Sequence, residues 1–222
     1  MQLAQSAQKL LPGHHRLPFQ WDLPVNLPSS FEGEFGHIRY QTTVTLRTVD
    51  KDETVALQRP FLVFARVNMA DFASAQRPVE ALDTTDYTCC CLPWGTVQAE
   101  LSIPKHGYLH GEKILVSGQI HNGSRKRIVN AQLQLMQQAR YKARSRYENV
   151  EDVKHMEYVI CSTPVDAIAP GKSLSIQERQ LVVPRVVPTY EGNTLHVNYM
   201  FRFQADPEIE IEIPVIVATV NE

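Results

Sequence analysis

The chain has 222 residues, 43% of them hydrophobic, and its 22 Lys and Arg nearly balance 24 Asp and Glu for a net charge of −2. That balance gives no basic face for nucleic acid, and no run approaches the roughly 18 apolar residues that cross a bilayer. The opening MQLAQSAQKLLPGHH lacks the basic n-region and sustained apolar core of a secretory signal, so the chain reads as a cytoplasmic globular protein of one large or two small domains.

Period-2 alternation dominates from residue 37 onward. Residues 37–46 place Ile38, Tyr40, Val44 and Leu46 on one face of a strand. A second strand is expected over 54–64, where Pro60 argues for an edge or a break. Residues 68–87 lose the alternation and mix small, polar and charged types, as a linker would. Alternation returns over 96–103 and ends at Pro104. Gly107 and Gly111 bracket a loop suited to positive φ, as Gly33 and Gly36 do before the Ile38 strand. Strands are expected over 114–120 and 129–135, with an Asn122-Gly123 hairpin turn between them, and then over 156–161, 173–181, 195–203 and 209–217. Short strands between turn signals make the chain all-β, with the C-terminal 130 or so residues enough for one complete sandwich.

Three of the four cysteines are adjacent, Cys89-Cys90-Cys91, and the fourth is Cys161. Neighbouring residues of a strand point to opposite faces, and zinc ligands need a wider spacing, so no metal site is expected. A reducing compartment also disfavours a structural disulfide. Buried or half-buried thiols are the plain reading, with palmitoylation of an exposed member as an alternative. His14-His15 has no carboxylate or thiol at ligand spacing and reads as an exposed loop pair. No nucleophile elbow, phosphate loop, dinucleotide fingerprint or HExxH motif occurs, so neither an enzyme nor a cofactor is indicated. Asn122-Gly123-Ser124 is a glycosylation sequon that means nothing outside the secretory lumen.

Three segments carry a family resemblance. PFQWDLPVNLPSSFEGEFGHIRYQTTVTL (18–46) resembles the second half of the N-terminal arrestin fold. KHGYLHGEKILVSGQIHNGSRKRI (105–128) is similar to the opening of the C-terminal arrestin fold, and LHVNYMFRFQADPEIEIEIPVIVAT (195–219) resembles its closing strands. The chain thus resembles the alpha-arrestins, the arrestin-domain-containing proteins. The resemblance implies immunoglobulin-like β-sandwiches divided as 1–68, the C-terminal half of an N-terminal domain, a linker over 69–88, and a complete C-terminal domain over 89–222. It also implies that about 100 residues of the family's first domain are missing here, and that its PPxY tail is absent. The nearest segment to that tail motif is Val187-Pro188-Thr189-Tyr190.

Arg140, Lys142, Arg144 and Arg146 alternate with Tyr141, Ala143, Ser145 and Tyr147, so an extended chain puts four cations on one face. Arg125, Lys126 and Arg127 in the preceding turn could lengthen this stripe. It is either an anion site, for phosphoinositides, phosphorylated tails or acidic membrane lipids, or a solvated face balanced by Glu148, Glu151, Asp152 and Glu157. Glu208, Glu210 and Glu212 alternate with isoleucines, and their carboxylates guard a strand edge. The family resemblance implies a non-enzymatic adaptor that links transmembrane cargo or receptors to ubiquitin ligases, endocytosis and trafficking, at the plasma membrane or endosomes. The alternatives are a thioredoxin-binding redox regulator of the same fold and an extracellular recognition sandwich. The second would need a signal peptide and an inter-sheet cysteine pair.

Overall fold

The computed structural model describes residues 13–16, 18–47, 54–89, 92–145, 150–206 and 209–222. Two small hairpins open this part of the chain. Strand β1 (Phe31–Glu32) pairs with β2 (His37–Ile38), and β3 (Tyr40–Arg47) pairs with β4 (Thr54–Phe61). The strand expected over 37–46 is therefore two strands. The chain changes partner at Arg39, whose guanidinium donates to both carboxylate oxygens of Glu32 at 2.6 and 2.8 Å. Pro60 sits one residue from the end of β4, an edge strand, where its missing N–H leaves no gap in a ladder.

A single 3₁₀ turn (Met69–Asp71) precedes β5 (Val79–Cys89). Strand β5 corrects the reading of residues 68–87 as a linker, because only its first part lacks a strand. Residues from Val79 onward pair along most of their length with β6 (Leu92–Ile103). Its alternation of Ala81, Asp83 and Thr85 with Leu82, Thr84 and Asp86 is weak because neither face is strongly apolar. Val79, Ala81 and Tyr87 pack against the core from its inner face, but Asp83 and Thr85 on the same face break the apolar pattern.

The remaining elements are β7 (Gly107–Leu109), β8 (Lys113–Asn122), β9 (Val129–Arg144), β10 (Glu151–Pro164), β11 (Lys172–Val182), β12 (Tyr190–Glu191), β13 (Leu195–Asp206) and β14 (Ile209–Ala218). One sheet runs β11-β8-β6-β5. The other runs β10-β9-β13-β14-β7, with β12 paired to β13. Their inner faces share one core built from Leu101, Ile120, Leu135, Phe201, Phe203 and Ile211 among others. The β8–β9 connection leaves one sheet for the other, so the expected hairpin at Asn122-Gly123 is a crossover instead.

The glycines also need correcting. Gly111 has φ +83 as expected, but Gly33 is needed for space, since a Cβ there would overlap the Tyr141 hydroxyl. Phe31 and Phe35 flank the same ring, with centroids 6.3 and 5.7 Å away. Tyr141 thereby fastens the first hairpin to the sandwich. A second tie lies at the other end, where Val67 N–H donates to Thr219 Oγ1 at 2.8 Å and Asn68 bridges to Val220.

Candidate functional site

Strand β9 runs nine residues further than the expected 129–135, and that extension carries the basic stripe. Ala139 and Tyr141 point into the core, while Arg140, Lys142 and Arg144 are exposed on the outer face, as the alternation requires. Arg146 lies outside the described residues. Lys142 is held by Glu151 at 2.8 Å, so one of the expected balancing carboxylates does pair with the stripe.

Register adds two residues that sequence reading missed. Arg140 stands opposite His155 on β10 and opposite His196 on β13, making a three-strand row of basic side chains. Arg140 lies 3.0 Å from His196 Nε2 and, as an arginine can only donate, is the donor of that contact. Neither histidine has a local sequence signal. Only the pairing of β9 with both neighbours brings them together.

Arg125, Lys126 and Arg127 do not lengthen the stripe. They are exposed at the far end of β9, about 40 Å from Arg140 at the usual rise of a strand. Their loop is shaped by Asn122, which is fully buried. Its amide donates to Lys126 O at 2.8 Å and Ile168 O at 3.0 Å, and its oxygen accepts from Ser124 N–H and Oγ–H. All its hydrogen-bonding capacity is used, so the sequon at Asn122 is closed to modification in the folded chain.

The carboxylates of β14 serve a different arginine. Arg202, whose side chain is 13% exposed, pairs with Glu157, Glu210 and Glu212. Glu157 is held below the usual carboxylate range first by the Gln138 amide and then by Arg202. Cross-sheet pairing of the β14 glutamates with the Arg140 stripe does not occur at Glu210 or Glu212, because β13 intervenes. Glu208 lies outside the described residues.

Of the cysteine run, Cys90 and Cys91 lie outside the described residues, and only the backbone of Cys89 belongs to them. Cys161 is a free, half-buried thiol that donates to Val182 O at 3.4 Å, and burial pushes it up from the usual thiol range. A thiol so placed is a poor nucleophile. His14 and His15 are exposed. Pro188 is buried, and Thr189 exchanges two hydrogen bonds with Val217, so Val187-Pro188-Thr189-Tyr190 cannot be lifted out as a free polyproline segment.

Comparison with known families fixes what this sandwich is. The model of the arrestin (or S-antigen) C-terminal domain matches residues 94–222, and that of the N-terminal domain matches residues 1–70. The chain belongs to the arrestin family, among its alpha-arrestins. It is 32% identical over 228 residues to Arrestin domain-containing protein 15 of Caenorhabditis elegans, covering 99% of this chain and 61% of the relative. Arrestin domain-containing protein 17 of the same organism is 31% identical, with 97% of this chain and 50% of the relative covered. Arrestin domain-containing protein 1 of Rattus norvegicus is 27% identical over 95% of this chain and 48% of the relative. The chain thus spans about half to three-fifths of the length of these relatives. Membership makes it arrestin-like, in a family of adaptors that are generally non-enzymatic. Among the described residues no helix is long and apolar enough to cross a membrane.

Proposed function

We propose that this chain is a non-enzymatic adaptor that holds membrane-protein cargo for ubiquitination and endocytic sorting, working in the cytoplasm against the plasma or endosomal membrane. Residues 1–68 would supply part of an N-terminal arrestin domain, and the C-terminal domain would begin at β5. The observation that carries the membrane-facing part is the outer face of β9. There Arg140, Lys142 and Arg144 stand on the exposed side of a sandwich of this family, with His155 and His196 abreast of Arg140. Clustered cations of this kind attract the anionic cytoplasmic leaflet at about 1 kcal/mol each near the surface, and salt screens the attraction. Glu151 competes for Lys142, so the face is weakly cationic alone and is suited to a multivalent anionic surface.

The test is sedimentation with vesicles containing phosphatidylserine or phosphoinositide. Binding should fall steeply with salt, and Lys142→Glu with Arg144→Glu should abolish it. Equal binding by wild type and double mutant would reduce the stripe to a solvated face. The adaptor role is tested separately, by recovery of ubiquitinated membrane cargo with the chain from cells. Failure to enrich any membrane protein over a tag control would remove it. The redox alternative is disfavoured by the burial of the Cys161 thiol.

A further inference from the structure

Strand β10 ends its sheet, with β9 on one side and, among the described residues, no strand paired on the other. Which of its backbone groups are open follows from the ladder. Ser145 N–H donates to Val150 O, and the same register sets Ala143 opposite Asp152 and Tyr141 opposite Lys154. Hydrogen-bonded and non-hydrogen-bonded pairs alternate along an antiparallel ladder. Asp152, Lys154 and Met156 therefore turn their N–H and C=O toward β9, whereas Glu151, Val153, His155 and Glu157 turn theirs outward. The far side of β9 has the matching phase, since Lys142 N–H donates to Thr194 O in line with β13. The other end of β10 is covered by β11. There the register shifts between Val159 and Cys161, the Cys161 thiol reaches Val182 O, and Arg179 donates to Pro164 O. Residues 151–155 are all exposed.

An open ladder of this kind is a template for another strand, and charged side chains normally guard it. Here the order of the charges decides what can pair. An edge strand that pairs antiparallel with its own copy has a two-fold axis perpendicular to the sheet, and each position of that axis is one register. An axis at Lys154 sets that lysine against its own copy and Glu151 against Glu157. An axis at Glu157 opposes two carboxylates, and one at His155 sets Lys154 against Met156 and Val153 against Glu157. An axis at Val153 sets Glu151 against His155 on the outer face and Asp152 against Lys154 on the inner one, each twice by symmetry. Of these registers, it alone matches an acidic group with a basic one on both faces. Within one copy Asp152 already lies 3.5 Å from Lys154, and in such a pair each lysine stands between two of these carboxylates.

We propose that the 151–155 edge of β10 binds a second copy of this chain, antiparallel about a two-fold axis at Val153, so that two sheets join into one. Glu151, Val153 and His155 exchange backbone hydrogen bonds with His155, Val153 and Glu151 of the second copy. Asp152 and Lys154 meet at the non-hydrogen-bonded positions, where side chains across a ladder come closest. The charges that repel foreign strands thereby select this one. Because the axis is perpendicular to the sheet, Arg140, Lys142 and Arg144 of both copies face the same way. The doubled membrane-facing surface that follows rests on the function proposed above, whereas the dimer itself does not. An edge contact is small, so the equilibrium is a weak one, in the micromolar range.

The experiment is sedimentation velocity of the full chain, without lipid, from about 1 to 300 µM. A concentration-dependent equilibrium between monomer and dimer is expected. Val153→Pro should abolish it and leave thermal unfolding nearly unchanged, since that N–H lies outside the β9 ladder. Asp152→Lys and Lys154→Asp should each weaken dimerisation about tenfold, by setting like charges across the axis. Mixed in equal amounts, these two variants face each other with opposite charges and should associate as tightly as the wild type, a recovery that misfolding cannot imitate. The double variant carrying both changes should dimerise alone for the same reason. A monomer throughout that range, a dimer that persists in Val153→Pro, or single variants that stay apart when mixed would overturn the proposal. So would a dimer lost on Leu57→Asp, since the contact would then be the exposed face of the β3–β4 hairpin.

Discussion

Strand β13 and the β3–β4 hairpin both alternate apolar with polar residues, yet they end in opposite conditions. In β13 the residues Val197, Tyr199, Phe201 and Phe203 are all essentially inaccessible, because β6 and β8 lie across the core from them. In the hairpin, Val44 pairs with Leu57 and Leu46 with Val55 on one face, and all four remain between 47% and 62% exposed. Tyr40 and Phe61 pack on each other at its base, with ring centroids 6.0 Å apart. Alternation makes a strand amphipathic in either case. Only a second sheet facing it turns that amphipathicity into stability, at about 1.5–3 kcal/mol for each large side chain fully buried.

The contrast can be broken by truncating one side chain in each region. Phe201→Ala should cost about 3–5 kcal/mol, whereas Leu57→Ala should cost less than about 1 kcal/mol, both read from urea unfolding. Similar losses at the two positions would mean that the hairpin is covered in solution. Next comes the alkaline limb. Burial pushes the Tyr108 phenol up to about 12, above its ordinary value near 10. A group whose folded value is raised stabilises fully below its unfolded value, and that contribution is lost as pH climbs from about 10 to about 12. The amount is on the order of 3 kcal/mol. Tyr108→Phe should make that limb shallower, the buried Tyr199 phenol, also raised, supplying the rest, and a limb of unchanged steepness would refute this origin.

A smaller effect tests the fastening between the regions. Gly33→Ala forces a methyl onto the Tyr141 hydroxyl, with a local cost of about 1–3 kcal/mol. Hydrogen exchange should accelerate over residues 31–38 and stay slow in β9 and β13. Acceleration throughout the sandwich would show that the hairpin supports the core. The smallest effect is at Glu157, which is depressed by Gln138 and then Arg202. Its contribution is present above the ordinary carboxylate value and lost as pH falls through the lowered one. Exposure and screening limit it to a few tenths of a kcal/mol. Glu157→Gln should remove that shallow acid dependence, measured as the urea midpoint between pH 5 and pH 3.

Much of the fold was legible because period-2 patterning survives wherever one face is buried. Strands β6, β8, β13 and β14 came close to their expected bounds for that reason. Strand β5 was hidden, since Asp83 and Thr85 interrupt the apolar face that Val79, Ala81 and Tyr87 pack against the core. The outward aim of Arg140, Lys142 and Arg144 followed from alternation. Their neighbours did not, because His155 and His196 lie 15 and 56 residues away and meet Arg140 only through register. The distance of Arg125–Arg127 from the stripe was equally invisible, since it depends on how far β9 runs before the sheet ends.

The pairing of Val67 and Asn68 with Thr219 and Val220 spans about 150 residues. A ribosome adding roughly 5–20 residues each second has made the first partner about eight to thirty seconds before the second exists. Throughout that interval Phe31 and Met69, both buried in the finished fold, have no sandwich to pack against. Nascent-chain chaperones therefore meet this segment in its stickiest form. A slow codon run placed after residue 70 should raise aggregation during synthesis, whereas one placed after residue 219 should not.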